Sequence, residues 1–132
     1  MPKELLKEKL RKVVFIDDEK AFLDMYGAKF QSAGFEVLIL SEPVKLFDKI
    51  TAFNPDIIFL DLVMKNGDGT VILKKIKSAI ATKWTPVVML SNINNEADKA
   101  ECLKEGASQF LIKSEFTPGQ LLDYAKEILK MI

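Results

Sequence analysis

Five polar residues of this sequence stand where apolar runs end. Val13–Ile16 stops on Asp17-Asp18, Ile57–Leu60 on Asp61, Val87–Leu90 on Ser91, and Phe110–Ile112 on Lys113. Helix capping accounts for Asp18 or Ser91 taken singly, since Asp and Ser are favoured at strand-to-helix junctions. It does not account for Lys113, because a cation before a helix opposes the helix dipole. Nor does it account for Asp61, which the turn residues "KNGDG" separate from the next helical pattern. Three carboxylates converging on one point repel each other and raise one another's pKa unless a positive charge joins them. Oxygen ligands without His or Cys select a hard cation, and a few carboxylates with water suit Mg²⁺. Lys113 then completes the charge balance. The chain contains no histidine, which excludes Ser-His-Asp and Cys-His catalysis, His metal ligands and a phosphohistidine of its own.

A scaffold must bring these residues to one place. Between the apolar runs, counting Phe35–Leu40 as the second, lie segments of helical periodicity. Phe22, Met25, Tyr26, Phe30 and Ala33 form one stripe ending at Gly34. Ser41 and Pro43 are expected to open a second helix carrying Leu46, Phe47, Ile50 and Phe53. Val71, Ile72, Ile76 and Ile80 make a third stripe. Asn94 or Asn95 caps a fourth, with Ala97, Ala100 and Leu103, that stops at Gly106. Thr117-Pro118 opens the last, with Leu121, Leu122, Ala125, Ile128 and Leu129. Near-continuous hydrophobic strands alternating with helices define an α/β protein whose parallel sheet is covered on both faces. Five βα units in this length predict a flavodoxin-like, doubly wound three-layer sandwich with strand order 2-1-3-4-5. Ligands of such sheets bind beyond the carboxyl ends of the strands, where the five polar residues collect.

Length and composition fit that scaffold. A chain of 132 residues suits one domain with a proper core. Lys+Arg and Asp+Glu balance at 19 each, so no general nucleic-acid or membrane surface is implied. No apolar run is long enough to span a bilayer, and "MPKELLKEKLRK" lacks the apolar stretch of a secretory signal. The single Cys102 permits no internal disulfide and fits a reducing compartment. These features lead us to expect a cytoplasmic protein. Residues 1–11 read either as an extra helix, on Leu5, Leu6 and Leu10, or as a solvated tail, and residues 12–132 form the domain. Cys102 and Trp84 read as packing residues. "NGDG", Asn66 to Gly69, suggests a hairpin, but the helical stripe after it argues against one, and the alternating acids of a calcium loop are missing.

In order and at the right spacing, "VVFIDDE", "PDIIFLDLVMKNGDG", "VVMLSN" and "GASQFLIKS" resemble the response-regulator receiver domains of two-component signalling. The resemblance covers roughly residues 12 to 131. It implies that Asp61 accepts a phosphoryl group in a Mg²⁺-dependent phosphorelay step. It also implies that Asp18, Asp61 and the Val63 backbone carbonyl ligate Mg²⁺, with Asp17 acting through water. Ser91 and Lys113 would each hold a phosphoryl oxygen, and Phe110 stands at the family's aromatic switch position, moving as Ser91 is drawn inward. The implied donor is a sensor histidine kinase or a His-phosphotransfer protein, and the implied output surface lies within residues 94–130, facing an unidentified protein. The only chemistry implied is the chain's own phosphorylation and dephosphorylation.

Departures from the family pattern carry expectations of their own. Lys65 stands where proline is usual, Asn92 follows Ser91 where a small residue is usual, and Ser114 replaces the proline after the lysine. A non-proline cis bond costs about 3–4 kcal/mol, so the Lys113–Ser114 bond is expected to be trans or its loop strained. Val63 and Ile93 flank the approach of a hydrolytic water and offer it no hydrogen bond, which implies a long-lived phosphorylated state. Three alternatives stand beside the receiver reading. A phosphorylation-independent receiver-like interaction module is opposed by retention of all five site residues. An aspartate-nucleophile phosphatase wants an acid two residues after Asp61, where Val63 stands. A flavin-binding flavodoxin wants a hydroxyl- and glycine-rich phosphate loop after the first strand, which is missing.

Overall fold

The computed structural model describes residues 11–65 and 67–130. Five strands, β1 (Lys12–Ile16), β2 (Glu36–Leu40), β3 (Ile57–Asp61), β4 (Val87–Ser91) and β5 (Gln109–Ile112), form one parallel sheet in the spatial order β2-β1-β3-β4-β5. Five helices connect or follow them: α1 (Lys20–Ser32), α2 (Leu46–Phe53), α3 (Gly69–Ser78), α4 (Glu96–Lys104) and α5 (Pro118–Ile128). This is the doubly wound arrangement the apolar runs imply. Successive side chains of a strand point to opposite faces, and the core divides accordingly. Val14, Ile16, Ile58, Leu60, Val87 and Met89 pack with residues of α2, α3 and α4 on one face. Val13, Phe15, Ile57, Phe59, Val88 and Leu90 pack with α1 and α5 on the other. There Phe15 stacks on Phe59 and meets Phe30 edge-on, both at 5.1 Å between ring centres.

The helix ends obey local chemistry. Asn95 caps α4 by accepting from the Asp98 amide, and Thr117 with Gln120 forms a reciprocal capping box that starts α5. Gly34 and Gly106 follow α1 and α4 with φ of 92° and 104°, the left-handed conformation glycine tolerates best. The start of α3 is tighter. The Gly69 amide donates to the Leu62 carbonyl at 2.8 Å, and a Cβ on Gly69 would collide with the backbone of Asp61 and Leu62.

Several expectations are corrected. Ser41 does not cap the second helix; it is exposed, and α2 begins at Leu46 after Lys45, whose backbone is left-handed. The third stripe is misphased: Val71 and Ile80 face outward, and α3 buries Ile72, Leu73 and Ile76. Met25 of α1 and Ala33, which follows it, are likewise exposed, and Leu23 takes a buried place. In α4 the proposed stripe is exposed and Cys102 alone is buried. Cys102 is thus the packing residue expected. Trp84 is not: it is 83% exposed, and Ile80 is 87% exposed, both in the connection before β4. The rejected hairpin also exists, as a minimal antiparallel ladder pairing Val63–Met64 with Gly67–Asp68. Two residues a side suffice for it, and α3 starts directly afterwards, so helix and hairpin do not exclude each other. The N-terminal leader, apart from Arg11, lies outside the described residues, as do Asn66 and the last two residues.

Candidate functional site

The residues singled out by position converge. Of the five buried polar or charged side chains among the described residues, four are Asp17, Asp61, Ser91 and Lys113. Parallel registry explains this: Ile16 pairs with Leu60, Asp61 with Leu90, and Ser91 with Ile112, so the strands end in step at one rim. The Lys113 ammonium lies 2.7 Å from Asp17 Oδ2, 2.7 Å from Glu19 Oε1 and 3.5 Å from Asp61 Oδ1. The Phe22 ring, from α1, lies beside it at 4.7 Å. The Lys113–Ser114 bond is trans, and Lys113 opens a short 3₁₀ turn through Glu115. The Tyr26 hydroxyl donates to the Phe116 carbonyl just beyond that turn.

Charge here is finely poised. Burial pushes the Asp61 carboxyl up, the neighbouring Asp17 charge adds to this, and Lys113 and the Val63 amide offset only part, leaving it at about 7. For Lys113, burial works to lower the pKa, but hydrogen bonds to Asp17 and Glu19 outweigh it and hold the ammonium above its ordinary range. The Lys113 hydrogen bond, followed by that from Asn92, draws the Glu19 carboxyl below its usual value.

One residue of the site escaped sequence reasoning. Carboxylate oxygens of Asp17, Glu19 and Asp61 lie within 4.8 Å of one another, and Asp61 Oδ2 is buried without a hydrogen-bond partner. An unpartnered buried carboxylate oxygen among further acids fits a divalent cation with hard oxygen ligands. The inferred set was Asp17, Asp18, Asp61 and the Val63 carbonyl. Here Asp18 Oδ2 instead accepts from the Lys65 amide at 2.9 Å, and Glu19 is the acid that reaches back. The Glu19 amide donates to Asp17 Oδ1, a tight turn that aims the longer side chain over the rim. The available signal was the third consecutive acid in "DDE".

The neighbouring loop is also tied down. Ser91 donates its hydroxyl to the Ile93 carbonyl at 2.7 Å and accepts from the Ile93 amide at 3.2 Å. Asn92 donates to Glu19 Oε1 at 3.0 Å. Val63 and Ile93 are 74% and 64% exposed, at the rim and not turned into the core. Phe110 is buried in the core beside α4 and borders a cavity of about 220 Å³ that Asn94, Ile112 and Phe116 also line.

The family model for the response regulator receiver domain matches residues 13–126, and the chain belongs to that family. Over 128 residues it is 29% identical to the phosphate regulon transcriptional regulatory protein PhoB of Escherichia coli (strain K12), covering 92% of this chain and 53% of PhoB. The response regulator PleD of Caulobacter vibrioides is 29% identical over 102 residues, 77% of this chain and 22% of PleD. The chain thus spans about half the length of one of these relatives and less of the other. The chemotaxis response regulator CheY4 of Vibrio cholerae superposes with a TM-score of 0.82 at 27% identity, covering 91% of this chain and 99% of CheY4. A two-component response regulator from Clostridium difficile gives 0.82 at 26%, covering 91% and 96%. Among the described residues no helix is long and apolar enough to cross a membrane.

Proposed function

We propose that this receiver domain is a phosphorylation switch in which Asp61 takes a phosphoryl group in a Mg²⁺-dependent reaction. The observation that carries the reading is the buried Asp61 carboxylate, with one oxygen unpartnered, in reach of Lys113 and of further acids. An Asp61 oxygen attacks the donor phosphorus, an acyl–phosphate bond forms, and the donor's P–N or P–O bond breaks with its electron pair leaving on the donor. Lacking histidine, the chain must draw on a partner's phosphohistidine, from a histidine kinase or His-phosphotransfer protein, or on a small acyl phosphate. It acts on no other substrate, and it works in the cytoplasm.

Phosphoryl transfer depends on positioning and charge neutralisation. Lys113 supplies a fixed cation, held from below by Phe22 and from the side by Asp17. Asp18, Asp61 and the Val63 carbonyl would hold Mg²⁺, with Asp17 acting through water, and Asp18 would give up its bond to the Lys65 amide for this role. There it would supply positive charge against the negative charge of attacking carboxylate and donor. Ser91 reaches a phosphoryl oxygen only by giving up the Ile93 carbonyl, which loosens the β4–α4 connection. Phe110, next to an existing cavity, then shifts between two packings of α4 and β5. In this reading the output surface lies within residues 94–130.

Intact mass after incubation with acetyl phosphate and Mg²⁺ tests the reading. Wild type gains one phosphoryl group, Asp61→Asn gains none, and EDTA abolishes the gain. A gain that persists in Asp61→Asn, or is equal in EDTA, overturns the assignment. Asp18→Ala should weaken Mg²⁺ binding most among the single acid variants.

A further inference from the structure

Glu19 occupies an unusual place for an acid at a helix start. It is the residue preceding α1, where a carboxylate ordinarily accepts from the first amides of the helix, yet its side chain makes no such bond. Oε1 instead takes two hydrogen bonds from across the site, one from Lys113 Nζ at 2.7 Å and one from Asn92 Nδ2 at 3.0 Å. A single oxygen therefore spans three segments: the β1–α1 turn, the end of β5 and the start of the β4–α4 loop.

An ammonium has three N–H donors. The Lys113 ammonium lies within 3.5 Å of carboxylate oxygens of Asp17, Glu19 and Asp61, and it donates a hydrogen bond to Glu19 Oε1. A phosphoryl oxygen on Asp61 that takes the hydrogen bond now given to Glu19 must displace that carboxylate. Asp17 cannot withdraw cheaply, because it is buried and its other oxygen accepts the Glu19 amide. Asp61 carries the new group itself. Glu19, its side chain 46% exposed, is the one member that can swing into water, and repulsion from the incoming anion drives it out.

We propose that Glu19 and Asn92 form a latch across the phosphoacceptor, in which the Glu19 carboxylate holds the place on Lys113 that a phosphoryl oxygen later takes. This inference rests on the phosphoacceptor reading above and adds two consequences to it. The closed latch slows phosphorylation, because a negative side chain must be expelled before a negative donor can engage Lys113. Opening it also releases Asn92, which directly follows Ser91 in the loop leading to α4. Phosphorylation thereby frees that loop at two adjacent residues, Ser91 by recruitment and Asn92 by loss of its partner.

The test compares wild type with Glu19→Gln, Glu19→Ala and Asn92→Ala. Initial rates of Asp61 phosphorylation by acetyl phosphate at saturating Mg²⁺ should rise about fivefold to tenfold in both Glu19 variants, tenfold corresponding to ~1.4 kcal/mol of barrier. Asn92→Ala should raise the rate by a smaller factor, and Asn92→Ala combined with Glu19→Ala should not exceed Glu19→Ala alone. In the metal-free proteins, Asn92 side-chain amide resonances should move on Glu19→Ala, and phosphorylation of wild type should move them the same way. Unchanged or slower rates in both Glu19 variants overturn the latch, as do Asn92 resonances indifferent to residue 19. So does a loss of Mg²⁺ affinity in Glu19→Gln that accompanies slower phosphorylation, since it would make Glu19 a metal ligand. If wild type accepts phosphate and the variants accept it no faster, the latch falls and the phosphoacceptor reading stands. Acceptance only by Glu19→Ala supports a tightly closed latch, whereas no acceptance by any of these proteins overturns both.

Discussion

Asp61 should be a destabilising residue at neutral pH in the absence of metal, and Asp61→Asn should reveal it. Its carboxyl is held at about 7 against an ordinary 3.8, first by burial and then by the Asp17 charge. A folded-state pKa above the unfolded value means that the folded protein binds the extra proton between these two values. Stability therefore falls as pH rises through that window, and the loss is complete above about 7. Each tenfold change in proton affinity is worth ~1.4 kcal/mol, so the full displacement corresponds to roughly 4 kcal/mol. Solvent at the rim screens part of it, leaving about 2 kcal/mol as the working figure. For a domain of this size that is about 8 °C in Tm. Asparagine keeps the shape and removes the charge. Thermal unfolding of metal-free wild type and Asp61→Asn from pH 5 to 8 should show the variant higher by a gap that is already open at pH 5, since the window begins at 3.8, and that more than doubles towards pH 8. The neighbouring groups do not blur this window. The stabilisation carried by Glu19 is lost only as pH falls through a value below 4.5, and that of Lys113 only as pH rises through one above 10.5. Mg²⁺ at pH 8 should then raise wild type more than the variant. A variant no more stable than wild type at pH 8, or equally more stable at pH 5, would refute the electrostatic account of the site.

Three further outcomes follow from the geometry. The phosphorylated state should be long-lived, because the exposed Val63 and Ile93 offer no polar group to place a hydrolytic water; a Val63→Asn, Ile93→Glu double variant should lose the phosphoryl group about tenfold faster, and equal decay would sink the idea. Amide exchange with and without beryllofluoride should change within residues 94–130, and changes confined to residues 19–55 would place the switch elsewhere. Gly69→Ala should cost at least about 2 kcal/mol in chemical denaturation, since its Cβ meets the Asp61 and Leu62 backbone, whereas a cost below about 0.5 kcal/mol would show that α3 can shift freely.

What the sequence made legible was whatever depends on strand ends. The apolar runs located all five strands of the sheet, and a parallel sheet leaves little freedom for where Asp17, Asp61, Ser91 and Lys113 arrive. Helix faces were less legible. In α4, Ala97, Ala100 and Leu103 have helical spacing, but the short helix lies against the edge strand β5 and buries only Cys102. Trp84 and Ile80 look like core residues by type, yet the connection that carries them lies outside both packed layers. Side-chain reach was not legible at all: Asp18 and Glu19 are adjacent acids, and nothing in the pattern says that one bonds the Lys65 amide while the other spans to Lys113 and Asn92.

The replacement of proline by Ser114 shows how such contacts complete a site. A buried cation at the head of a loop needs that loop fixed, and proline restricts the backbone by itself. Here the restraint comes from α1 instead. Phe22 and Tyr26, one helical turn apart, stack on each other with ring centres 4.1 Å apart. Phe22 packs against the Lys113 ammonium, while the Tyr26 hydroxyl bonds the Phe116 carbonyl, so a single helix face holds both the charge and the end of its turn. The same helix begins beside Glu19. The two ends of the Lys113 environment, the latch above and the aromatic support below, are therefore carried by one rigid element. A change in the latch need not reposition the lysine, because Phe22, Tyr26 and Asp17 still hold it when Glu19 leaves. In the proposed latch, that separation would let Glu19 trade places with a phosphoryl oxygen while Lys113 stays where it is.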